Sequence, residues 1–253
     1  GGPAEGIDDY EHGAAVTQAY LKNLDDRANS LDQFLVLKTI ERFLTDDDDD
    51  WTERSRRGWT SDARQSMLAA VETMVDQEKW RGMAESGLKV RDNTEFWTAC
   101  RAAEALGIDT WPEYYSRTKA GEDHWFHLMR SKDRSRIEKV VELAEAQIPL
   151  DQIATGPGTE MGLGLEFRNH TALDFLLQDL GDYPGLGWDL VKTGLRSPVV
   201  RNRNMAMRAL AGWGAKNWPA DAGTLLEQCH KDEPDDKVKE TFAKLLAGEP
   251  LGF

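Results

Sequence analysis

Apolar runs in this 253-residue sequence are short, and none approaches the roughly 18 consecutive residues that a bilayer-crossing helix needs. The N-terminus lacks the cationic, apolar and small-residue progression of a signal peptide. It also lacks a starting methionine, so Gly1-Gly2-Pro3 reads as a cleavage scar or a fragment boundary. Cysteine is scarce: Cys100 and Cys229 fall in separate helix-like segments, which argues against a disulfide framework and suits two reduced core thiols in a cytoplasmic protein. CxxC, HExxH and the Gly-Lys-Ser/Thr ending of a phosphate loop are all missing, so neither a metal nor a cofactor is expected. Cationic excess is missing too. Against 45 Asp and Glu stand 31 Lys and Arg, and the net charge of -14 repels phosphate backbones and anionic lipid surfaces. Neither nucleic acid nor a membrane is the expected partner.

What the sequence does hold is helical periodicity. Almost every segment repeats apolar residues at i, i+3, i+4 and i+7, and no run alternates as a strand would, so the chain is predicted to be all-α. A longer period lies beneath it. Apolar residues recur 3, 6 and 7 positions after Arg64, Ala99, Arg134, His170, Arg203 and Lys239, starting points that step by 35, 35, 36, 33 and 36. Pro112, Pro149, Pro184 and Pro219 step by 37, 35 and 35, each placed to open the second helix of a pair, where its missing N–H costs nothing. A superperiod of 107 residues matches Gly87-Leu88-Lys89 to Gly194-Leu195-Arg196, Arg101-Ala102 to Arg208-Ala209, Gly107 to Gly214 and Trp111-Pro112 to Trp218-Pro219. Such spacing indicates a duplicated block of three repeats.

The segment Ser197-Pro198-Val199-Val200-Arg201-Asn202-Arg203-Asn204-Met205-Ala206-Met207-Arg208-Ala209-Leu210 resembles the first helix of a HEAT-like repeat, with a turn residue and Pro, then Val-Arg, then Ala and Ala-Leu at helical spacing. Lys237-Val238-Lys239 leading to Leu245-Leu246 repeats it more loosely, and Ala99 and His170 depart from the basic position. The resemblance implies a right-handed α-solenoid of about six to seven stacked antiparallel helix pairs, each burying its apolar face against its neighbours. Residues 31–247 would form it. Residues 1–30 would supply the scar and a capping helix over Val16 to Leu24, and 248–253 a tail.

Between Leu190 and Ala220 no acid occurs, while six bases do: Lys192, Arg196, Arg201, Arg203, Arg208 and Lys216. Arg201, Asn204 and Arg208 share one helical face, away from Ala206, Ala209 and Leu210. Together with Lys192, Arg196 and Arg203 they form the candidate binding site, for an acidic peptide, a carboxylate or a phosphate. A ladder of ion pairs between repeats is the other reading of the same residues. His124 and His127 are spaced as metal ligands, but no third ligand follows, so they read as structural. The glycine-rich stretch from Thr155 to Gly164 reads as a long loop between repeats. The run Asp46 to Asp50 reads as a solvated linker or a polyanion mimic, and the tryptophans at 80, 111, 188, 213 and 218 as packing between helices.

No catalytic constellation emerges, and no catalytic residue is assigned. The expected function is a noncatalytic scaffold that binds a protein partner. Two alternatives stay open: a helical-repeat enzyme similar to the DNA alkylation-repeat glycosylases, which would need a basic face, and an acidic inhibitor or immunity protein that neutralises a basic partner. The second rests on residues 1–60, where 14 acids stand against 7 bases. Oligomeric state stays open as well.

Overall fold

The computed structural model describes residues 29–45 and 61–252, together with Ala19. Apart from Ala19, the predicted capping helix at Val16 to Leu24 lies outside the described residues, as does the Asp46 to Asp50 run. Among the described residues the chain is all-helical, with thirteen α-helices, two short 3-10 turns and no strand. It divides into two compact units, residues 1–113 and 114–253.

In the first unit, α1 (Leu31–Thr45) packs against α2 (Ser61–Val75), α3 (Glu78–Gly87) and α4 (Asn93–Ala105), and α3 also lies on α4. Local chemistry sets the starts. Ser30 and Gln33 form a reciprocal capping box, the Gln33 N–H donating to Ser30 Oγ at 3.3 Å and the Ser30 N–H to Gln33 Oε1 at 3.1 Å. Asp92 caps α4 by accepting from the Glu95 N–H at 2.9 Å. Phe34, Leu37 and Leu44 of α1 are fully buried with Trp80 of α3, whose indole donates to the Met74 carbonyl at 2.7 Å. Helix α5 (Trp111–Lys119) runs across the division between the units.

The second unit contains α6 (Trp125–Met129), α7 (Arg134–Gln147), α8 (Leu150–Ile153), α9 (Arg168–Leu180), α10 (Trp188–Leu195), α11 (Val200–Trp213), α12 (Ala222–Asp232) and α13 (Asp236–Ala247). Helix α9 packs on α11 and α11 on α13; α10 fills the angle between α9 and α11, and α12 lies on α13. Asp133 and Asp235 cap α7 and α13, each accepting from a backbone N–H two residues on.

The six predicted registers fall in α2, α4, α7, α9, α11 and α13, except that Leu106 is the C-cap residue just past α4. In α7, α9 and α11 every member is buried: Ile137, Val140, Val141; Leu173, Leu176, Leu177; Ala206, Ala209, Leu210. The register is looser elsewhere, because Ala70 and Ala105 are exposed and Leu106 and Leu246 only half-buried. A residue six positions on sits about 60° around the helix from one three positions on, at the edge of the apolar stripe, so its burial depends on a flanking helix. The prolines sit close to where they were expected. Pro112 is in the first turn of α5, Pro149 is the N-cap of α8, and Pro184 and Pro219 lie in the turns leading to α10 and α12.

Two pairs of residues 107 positions apart make the same close approach. A Cβ on Gly87 would lie 2.7 Å from the Ala99 Cβ, and one on Gly194 would lie 2.9 Å from the Ala206 Cβ, so each glycine lets α3 meet α4, or α10 meet α11, at the same point. Gly107 and Gly214, which follow α4 and α11, both take the positive φ, 66° and 71°, that turns the chain out of the helix. No described helix is long and apolar enough to cross a membrane.

Candidate functional site

Of the six candidate binding residues, five cations and Asn204, one does not reach the surface. Arg203 is a correction to the set: it is fully buried, and its guanidinium is saturated from within. Nε and Nη2 grip the buried Glu233 carboxylate at 2.7 and 2.9 Å, while Nη1 and Nη2 donate to the Ser197 and Gly158 carbonyls, both at 2.7 Å. No ligand can reach it. Arg201 is more than half exposed but pairs through Nε with the buried Asp174 of α9. Lys192 pairs with Asp189 at 2.6 Å. Arg208 is exposed and shares a cleft of about 360 Å³ with Asp179 and Asp182; Asn204, between Arg201 and Arg208, is half-buried. Arg196 makes no ion pair among the described residues and opens onto a cleft of about 500 Å³ with Glu145, Asp189 and Lys192. Acids from α9, from α10 and from the turn after α12 thus supply the counter-charges that the sequence window lacks.

Around Arg203 lies a buried polar cluster. The Asn202 amide donates from Nδ2 to the His170 carbonyl at 2.8 Å and to Asp174 Oδ1 at 2.9 Å, which fixes its Oδ1 as an acceptor. His170 therefore carries its proton on Nδ1, 2.9 Å from Asn202 Oδ1 and 3.0 Å from Ser197 Oγ. The Ser197 hydroxyl donates to Asn202 Oδ1 at 2.9 Å and accepts the Val199 N–H at 3.1 Å. A Ser–His contact can signal a nucleophile, but Ser197 is wholly buried and its oxygen is already engaged, so this one holds the turn before α11. Burial pushes the Asp174 carboxyl above the usual carboxylate range, against the pull of Asn202, Arg201 and His170.

The cluster anchors the glycine-rich loop. The Gly156 N–H donates to the Arg196 carbonyl at 2.8 Å, Glu160 donates to Pro198 and accepts from Val200, both at 3.2 Å, and Arg203 holds the Gly158 carbonyl. Gly158 lies against Pro198, and a Cβ at Gly162 would stand 2.7 Å from Val199 Cγ1, so side chains there would lift the loop. Beyond the anchors the loop turns apolar residues outward: Met161, Leu163 and Leu165 are 75%, 73% and 92% exposed. The chain is re-fixed immediately afterwards, the Phe167 N–H donating to the Gly164 carbonyl at 3.1 Å and Arg168 donating to the Gly121 carbonyl at 2.7 Å. Sequence reasoning placed a loop here and missed its apolar tip. The signal was present in Met161-Gly162-Leu163-Gly164-Leu165, three large apolar residues with no helical period.

The histidine pair is absorbed into packing. His124 is buried with Nε2 3.1 Å from Glu122, and the His127 ring stacks on Tyr114 with centroids 4.6 Å apart. Among the described residues no group of three His, Cys, Asp or Glu side chains is placed to hold a metal ion. The tryptophans tie helices together, the Trp213 indole donating to the Leu180 carbonyl and that of Trp218 to the Leu210 carbonyl, both at 2.7 Å. In the first unit a groove of about 890 Å³ runs between α1, α3 and α4, past Leu31, Lys79, Met83, Val90 and Glu95; no His, Cys or Arg is among its described lining residues. No family model matches the chain, and no curated protein and no solved structure matches it either.

Proposed function

We propose that this chain is a noncatalytic protein-interaction scaffold built from HEAT-like helical repeats, stacked in the right-handed solenoid that the resemblance implies. Supporting the repeat reading are the ordered packing of α9, α11 and α13 and the repeated Gly87–Ala99 and Gly194–Ala206 contacts. The observation that carries the interaction reading is the anchored loop with Met161, Leu163 and Leu165 turned to solvent. A large apolar cluster kept outside the core on a fixed loop is what a docking surface requires, because little conformational entropy is left to lose on binding. The glycosylase-like alternative needs a basic face, and three of its six cations are occupied by Asp189, Asp174 and Glu233. The acidic segment behind the inhibitor alternative lies mostly outside the described residues.

The test is affinity capture from native lysate with the intact chain and with Leu163→Ser/Leu165→Ser. Burying two leucines contributes about 3 kcal/mol or more, so the variant loses on the order of a hundredfold in affinity and its specific partner disappears. Its melting temperature stays unchanged, since neither side chain packs in the fold. An identical set of captured proteins from both chains overturns the proposal.

A further inference from the structure

The apolar tip is bracketed by charge. Glu160 precedes Met161 and Glu166 follows Leu165, both are exposed, and neither forms an ion pair among the described residues. The Glu166 carboxylate folds back over the loop, so that a Cβ on Gly164 would stand 2.5 Å from its Oε2. Two uncompensated carboxylates thus flank three exposed apolar side chains on a segment tethered at both ends.

We propose that the 160–166 loop inserts into an apolar groove of a protein partner whose rim carries Lys or Arg side chains opposite Glu160 and Glu166. This rests on the interaction reading above and adds the partner's chemistry. Charge complementarity selects this occupant. A lipid surface would receive Met161, Leu163 and Leu165 readily, but anionic headgroups would face two carboxylates on a chain of net charge -14. A second copy pairing loop to loop would crowd four carboxylates around one apolar contact and add the mutual repulsion of two acidic chains. A cationic rim is the arrangement in which the apolar contact and its charged border act together, speeding encounter and fixing register.

The test replaces Leu163 of the full chain with a photo-crosslinking amino acid and irradiates it in native lysate at low salt and at about 0.5 M salt, where exposed charges are screened. Two parallel chains carry the same label with Glu160→Gln/Glu166→Gln and with Glu160→Lys/Glu166→Lys. These side chains hold nothing in the fold, so all three chains should share one helical spectrum and one melting temperature. The expected result is an adduct to one protein, mapped by mass spectrometry to an apolar groove bordered by Lys or Arg. Its yield falls with salt, falls in the Gln chain, and drops roughly tenfold in the Lys chain. An adduct indifferent to salt and to both charge variants overturns the cationic rim while leaving the interaction reading intact. No adduct above that of a label at exposed Lys139 overturns both. An adduct of twice the chain mass, or co-sedimentation of the intact chain with phosphatidylcholine/phosphatidylserine vesicles, overturns this partner chemistry in favour of self-association or a lipid surface.

Discussion

Gly194 and Ala206 meet at a distance that leaves no room for a methyl group, and Gly87 and Ala99 repeat that meeting 107 residues earlier. A Cβ on Gly194 would also stand 2.6 Å from Leu177 Cδ1, so relief would need both a rotamer change and a helix shift. Gly194→Ala is therefore expected to lower stability by about 1–3 kcal/mol despite alanine's better helix propensity. Gly82→Ala, inside α3 where nothing lies within 4 Å, is expected to raise stability by up to about 1 kcal/mol. Urea midpoints of the two variants should move in opposite directions, and Gly194→Ala/Ala206→Gly should recover part of the loss.

Arg203→Met leaves the Glu233 carboxylate buried without its cation. Breaking a buried pair from one side costs about 3–5 kcal/mol, whereas Arg203→Met/Glu233→Met removes both charges and should recover most of that. Hydrogen exchange gives a local readout. In the single variant the amides of Gly156, Glu160 and Val200 should lose protection before those of α7, because the Arg203 bond to the Gly158 carbonyl is one of the loop's anchors.

Asp174 should give an unusual pH signature. Its folded-state pKa is raised, so the native chain binds more protons than the unfolded one once pH exceeds the ordinary value of 3.8. Its contribution to stability is greatest below that value and declines as pH climbs to the raised one. Asp174→Asn can still accept from the Asn202 amide, so this variant should match the parent at the acid end and equal or exceed it at pH 7. Asp174→Ala, which leaves that amide hydrogen short of a partner, should be less stable by about 1–3 kcal/mol. Thermal melts between pH 3.5 and pH 7 separate the three.

Burial pushes the Cys229 thiol up to about 11, and Cys100 is equally enclosed. Thiolate at pH 8 is then about one part in a thousand for Cys229. A disulfide-exchange reagent should find almost no reactive thiol in the native chain and two in denaturant. Rapid native reaction at either position would show that its helix opens locally.

Helices were legible because their apolar residues recur at helical spacing. Periodicity identified α7, α9 and α11 down to individual buried residues, and the 107-residue spacing identified glycines that do the same steric job twice. The cationic window was misleading because sequence shows only neighbours along the chain. Arg203 is neutralised from 30 residues away, and His170 finds Ser197 at 27. Both are contacts between a helix and a turn distant in sequence, which no local pattern announces. The loop's apolar tip was written in plain view, but exposure depends on what covers a segment, and only the folded chain, which leaves Met161, Leu163 and Leu165 to solvent, shows that nothing in it does.

The Arg203 knot also sets an order of events at the ribosome. Gly158 emerges first, Arg203 follows 45 residues later, and Glu233 another 30 after that. Until that last residue is out, the arginine has no buried counter-ion and must remain hydrated. The nascent chain can wind its helices early, but the loop and its apolar tip can be seated only when almost all of the second unit has been made.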